Sequence, residues 1–136
     1  MKNNLKGKLE KSNFKLIEKE FSDLILTVAE IDQTGMGSRP NVTRKTYTFK
    51  DNTFLSITER YISGGIIDYY NYDLYNSNEE IIIKFHSEPH QNKKQQTKTE
   101  PYHIHKHNTL GVEDRLPNYV YKRLTEIFEY IKSRID

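Results

Sequence analysis

No cysteine and no tryptophan occur in the 136 residues. The missing thiols exclude disulfides, thiolate zinc sites and a cysteine nucleophile, and fit a reducing compartment. A dominant charge is also lacking. Lys and Arg number 21 against 19 Asp and Glu, and the pI near 8.6 is too mild to identify a nucleic-acid partner by itself. No apolar run approaches the roughly 20 residues that span a bilayer, and the lysine-rich start lacks the apolar core of a signal peptide. The expectation is a cytoplasmic protein with no membrane partner, and the length suits one domain spanning residues 1–136.

What is present is an alternation of apolar and polar residues. The first twenty residues carry Leu5, Leu9, Phe14, Leu16, Ile17 and Phe21 in an imperfect helical stripe, which predicts an N-terminal helix. Asp23 to Glu30 is dense in Leu, Ile and Val and reads as a strand buried on both faces or central in a sheet. Gln33 to Pro40 is a turn-rich loop. Strand-like segments follow at Thr46 to Phe49, Thr53 to Ile62, Ile67 to Tyr75 and Glu80 to His86, separated by turns at Lys50-Asp51-Asn52, Ser63-Gly64-Gly65 and Asn76 to Glu79. Ser87 to Thr99 is polar and aperiodic and reads as a loop. From Pro117 the apolar residues Tyr119, Val120, Leu124, Ile127, Phe128, Ile131 and Ile135 fall at helical spacing. The fold class is α+β: an antiparallel β-meander of about five strands with an N-terminal helix and a C-terminal helix packed on it.

All five histidines, His86, His90, His103, His105 and His107, lie between the last of these strand segments and the C-terminal helix. Imidazole titrates near neutral pH, so such a cluster can supply acid and base, metal ligands or phosphate contacts. If Pro101 to His107 is extended, alternation sends His103, His105 and His107 to one side and Ile104 and Lys106 to the other. The strand around Leu55, Ile57, Glu59 and Tyr61 places a carboxylate on its apolar face, costly unless it is paired or used. Tyr70 lies in a tyrosine-rich strand whose rings suit either packing or base stacking. Lys84 and Lys106 flank the histidines and favour a phosphate over a dication.

Ile83 to His90, followed after a polar spacer by His105-Lys106-His107, resembles the TumE family of toxins from bacterial toxin–antitoxin systems. Pro89-His90 and His105-Lys106-His107 carry the likeness, which covers about Thr53 to Leu110. His86-Ser87 stands where the family pattern has Asp-Asn, and Gln91 replaces a second histidine. The resemblance implies a small toxin acting on RNA and silenced by a helix-turn-helix antitoxin. The expected site joins Glu59, His90, His105 and His107 as catalytic groups, with Lys84, Lys106, His103 and Tyr70 as substrate contacts, for metal-independent phosphodiester cleavage needing no cofactor. Two alternatives are a non-catalytic RNA- or protein-binding module and a small cupin-like metal-binding protein using His103, His105 and Glu59. Homo-oligomerisation stays open.

Overall fold

The alternating segments pair in sequence order, each strand turning back on the one before it. The computed structural model describes residues 9–87, 102–107, 113–117 and 123–135, with the backbone alone described at 103, 106, 107 and 113–117. The elements are β1 (Leu9–Glu10), α1 (Phe14–Glu20), β2 (Ile25–Ala29), β3 (Val42–Phe49), β4 (Phe54–Ile62), β5 (Ile66–Tyr75), β6 (Ile81–His86), β7 (His103–His107), β8 (Glu113–Pro117) and α2 (Leu124–Ile135). Strands β2 to β8 form one antiparallel meander, and β1 pairs with the start of β5.

Both helices lie on one face of this sheet, which we call the helix face. Tyr47 pairs with Leu55, Leu55 with Leu74, and Leu74 with Ile83. One row along, Ile57 pairs with Tyr72, Tyr72 with Phe85, and Phe85 with Ile104. Cross-strand partners share a face, so these rows present a continuous apolar surface. Phe128 of α2 is its hub, with its ring centroid 5.2 Å from that of Phe21, 5.1 Å from Tyr47 and 5.7 Å from Phe49. Phe14, Ile17 and Phe21 bring α1 into the same core. Asn13 caps α1 by accepting from the Leu16 amide, and Glu18 accepts from Lys45 Nζ and the Tyr47 hydroxyl, tying the helix to β3.

The α+β class holds, but the sheet is larger than the periodicity predicts. The histidine segment is itself a strand, β7, and Glu113–Pro117 adds β8. Pro117 therefore ends a strand instead of opening the helix, and the described part of α2 begins at Leu124. The N-terminal helix is confined to Phe14–Glu20, and Leu9 to Glu10 is extended. The Asp23 to Glu30 segment is not central either. Its strand, β2, forms one end of the meander, and Leu26 is 56% exposed. Density of branched apolar residues reports strand propensity, which a sheet edge satisfies as well as a centre.

Candidate functional site

The carboxylate that alternation placed on the apolar side does lie there. Glu59 is 0% exposed. Its carboxylate accepts from the Ser12 amide at 3.2 Å, from the Tyr61 hydroxyl at 2.9 Å, and from the Ser12 and Tyr72 hydroxyls. These donors come from the β1–α1 connection, β4 and β5, so Glu59 pins the N-terminal segment to the sheet. Burial, then the adjacent Glu59 charge, pushes the Tyr72 phenol well above its ordinary value. The same two causes, in the same order, raise Tyr61. Both hydroxyls thus remain donors at neutral pH. This accounts for a buried charge that would otherwise cost several kcal/mol.

His86, His103 and His105 occupy register positions on the opposite face. Asp73 pairs with Lys84, and Lys84 with His105; one row along, Asn71 pairs with His86, and His86 with His103. These positions alternate with the apolar rows, so the sheet separates His105 from Glu59. The two are not brought into one site. Tyr70 is likewise on the helix face, fully buried and stacked on Tyr72 at 4.2 Å, which leaves it no ring face for a base. Lys106 pairs with Ile83, a position of the helix face, whereas Lys84 shares the face of His105. The side chains of His103, Lys106 and His107 lie outside the described residues, as does His90 altogether.

What the register does assemble is a compact polar group at the middle of β5 to β7. His86 Nε2 lies 3.4 Å from Asp73 Oδ1, and Asn71 Nδ2 donates to Asp73 Oδ2 at 3.3 Å. The imidazoles of His86 and His105 are 4.5 Å apart between centroids, tilted by 47°. His105 is 7% exposed, and Asp73 is also buried. With Nε2–H donated to Asp73, a neutral His86 carries its lone pair on Nδ1, so the carboxylate selects both tautomer and ring orientation. Among the described residues Lys84 forms no ion pair within 4 Å. Tyr75, on the same face, is pushed up to about 12 by burial and then by the charges of Asp73 and Asp32.

The loop after β2 borders this face. The Gln33 amide donates to Ser56 Oγ at 2.9 Å, and Ser56 is the register partner of Asp73. Asp32 organises the loop by accepting from the Thr34 amide and hydroxyl and the Met36 amide, with Arg44 3.7 Å away. Burial acts to raise the Asp32 carboxyl, but these hydrogen bonds and the Arg44 charge hold it below the usual 3.8.

Sequence reasoning missed Asp73 and set His86 apart from the other histidines. The alternation signal was available, since Asn71 and Asp73 share a face in β5, but the pairing of β5 with β6 is not written in either strand alone. For a metal, no group of three or more His, Asp or Glu side chains suited to holding an ion occurs among the described residues. The sheet, with both helices on one face, also differs from the double-sheet jelly roll that a cupin requires.

The family comparison bears out the resemblance. Residues 13–135 match the family described as Toxin TumE. The chain belongs to the TumE toxin family. The match extends well beyond the segment from Thr53 to Leu110 that carries the visible likeness, taking in α1 and α2. Membership makes the chain a toxin component of a toxin–antitoxin system, with an antitoxin as its partner. No match was found among curated proteins or solved structures. No helix among the described residues is long and apolar enough to cross a membrane.

Proposed function

We propose that this TumE-family toxin cleaves RNA on the face opposite its helices, through imidazole acid–base chemistry without a metal. The observation that carries this reading is the His86–His105 pair, 4.5 Å apart and braced by Asp73. Cleavage of RNA needs a base to take the proton of a 2′-hydroxyl and an acid to protonate the departing 5′-oxygen. The 2′-oxygen bonds to the adjacent phosphorus as the bond to the 5′-oxygen breaks. The products are a 2′,3′-cyclic phosphate and a 5′-hydroxyl. Two neighbouring imidazoles supply both proton transfers, with His86 oriented by Asp73 and His105 beside it. Lys84, between Asp73 and His105 in register, opposes the charge gathering on the phosphate. His90, His103 and His107 remain candidates to join them. Glu59 is a structural carboxylate in this scheme.

The partner is an antitoxin of helix-turn-helix type that binds and silences the toxin in the cytoplasm, where its RNA substrate lies. The test is purified protein incubated with RNA, with and without chelator, followed by analysis of product ends. Cyclic-phosphate ends that persist in chelator and vanish in His105→Ala and His86→Ala are expected. Equal RNA loss with wild type and His105→Ala, or loss only with added metal, overturns the reading.

A further inference from the structure

We infer that Arg115 is a phosphate-binding residue of the face opposite the helices, the counterpart of Lys84 on the far side of His105; the inference rests on the reading of this face as RNA-cleaving and adds a residue to it. Strand β8 supplies the position. Leu116 pairs with Ile104, which pairs with Phe85, so Leu116 continues an apolar row of the helix face. Its neighbour Arg115 therefore falls on the other face, where it pairs with His105. The row reads Ser56, Asp73, Lys84, His105, Arg115 across five adjacent strands.

The order of charges along that row calls for an anion. Neighbouring strands lie about 4.8 Å apart, so His105 stands between two cationic positions, each one strand away. Lys84 is partly buried and forms no ion pair within 4 Å among the described residues. Asp73, the acid of the row, is engaged with Asn71 and His86. The reaction adds a third positive charge. A His105 that gives its proton to the departing 5′-oxygen starts as an imidazolium, and like charges at directly opposed strand positions destabilise a sheet. A phosphodiester lying across the row relieves this repulsion. Arginine suits the task because its planar fork can hold two oxygens of one phosphate and keeps its charge at any working pH.

Charge on β8 has a second use. The strand ends the meander, and an edge is blunted against unwanted pairing by charged residues and proline, a description that Glu113, Asp114, Arg115 and Pro117 fit. Edge protection is indifferent to the sign of the charge. Phosphate binding is not, and that difference makes the two roles separable.

The test uses cleavable RNA and, for binding alone, a short fluorescent 2′-O-methyl oligoribonucleotide that lacks the attacking hydroxyl. Arg115→Gln is expected to lower kcat about 10²-fold and to reduce the slope of log affinity against log salt by about 0.7, the value of one contact to a single strand. Arg115→Lys keeps the salt slope and recovers only part of kcat, because an ammonium lacks the fork. Arg115→Glu preserves an edge charge and falls below Arg115→Gln in both readouts. Urea unfolding of each variant puts the rates on a per-folded-molecule basis. Wild-type kcat and salt slope in Arg115→Gln, or wild-type cleavage in Arg115→Glu, overturn the assignment and leave edge protection as the role of this residue. Should Arg115→Gln not fold, wild-type kcat in Arg115→Lys overturns it equally. The histidine chemistry fails separately. Cleavage that survives His86→Ala and His105→Ala but is lost in Arg115→Gln keeps the phosphate contact and overturns the proposed acid–base pair. If the wild-type protein cleaves no RNA, the probe decides: a reduced slope in Arg115→Gln keeps the contact, and an unchanged one overturns it.

Discussion

Under the helices a buried carboxylate is surrounded by donors; on the other face a buried carboxylate braces one of two touching imidazoles. Glu59 accepts four hydrogen bonds from Ser12, Tyr61 and Tyr72, so its charge is spent on joining the N-terminal segment to the sheet. Asp73 accepts from Asn71 and lies 3.4 Å from His86 Nε2, so its partners include a ring of a type that can move a proton. Both are acids in strand centres. Burial alone therefore does not separate a carboxylate that joins segments from one that we propose to serve chemistry; the chemistry of the partners is what sets them apart.

The comparison breaks most sharply on activity. His105→Ala is expected to lower RNA cleavage by about 10²–10⁴-fold, with a stability loss of about 1–2 kcal/mol because the ring is buried against His86. Single-turnover cleavage beside urea unfolding gives both numbers. A large loss of stability with cleavage preserved per folded molecule would mean that this face, too, is structural.

Phe128→Ala is the corresponding experiment under the helices. It empties the hub between Phe21, Tyr47 and Phe49 and is expected to cost about 3–5 kcal/mol in urea unfolding. Glu59→Ala should cost somewhat less, about 3 kcal/mol, because it leaves the donors of Ser12, Tyr61 and Tyr72 without an acceptor. In both variants the fraction that folds should cleave RNA at the wild-type rate. If folded Glu59→Ala protein has lost cleavage, the division between the faces is wrong and Glu59 returns to the catalytic group.

Much of this division was legible in the sequence. Period-two alternation placed Glu59 with Leu55 and Ile57, and His105 opposite Ile104, as the sheet has them. What the chain could not disclose was which faces become continuous across strands. Register depends on turn geometry and on the pairing of segments, so His86 could not be matched to Asn71, nor Lys84 to Asp73 and His105. The partner that explains Glu59, Ser12, lies 47 residues earlier, beyond any local pattern. Helical spacing located α2, yet Pro117 misled because proline also suits the end of an edge strand. The dense apolar run of β2 read as central for a related reason: composition does not say how many neighbours a strand has.

The smallest effect sharpens the comparison through tyrosine ionisation. A tyrosine whose folded pKa lies above its unfolded value of 10.0 contributes stability that is complete below pH 10 and is lost as pH rises through the folded value. On the helix face, burial raises Tyr47, Tyr70 and Tyr72, so they should ionise only as the protein unfolds in alkali. Tyr75, on the histidine face, is raised to about 12 by burial first and by Asp73 and Asp32 second, and its contribution disappears between pH 10 and about 12. Asp73→Asn removes one of the two carboxylate charges and none of the burial, so the Tyr75 value should fall by well under half of its displacement while the helix-face tyrosines stay unchanged. Absorbance titration at the phenolate band, with Tyr75→Phe to assign the transition, measures both. A Tyr75 transition that does not move in Asp73→Asn would show that Asp73 does not act across this face, and would weaken the case that its charge reaches His86.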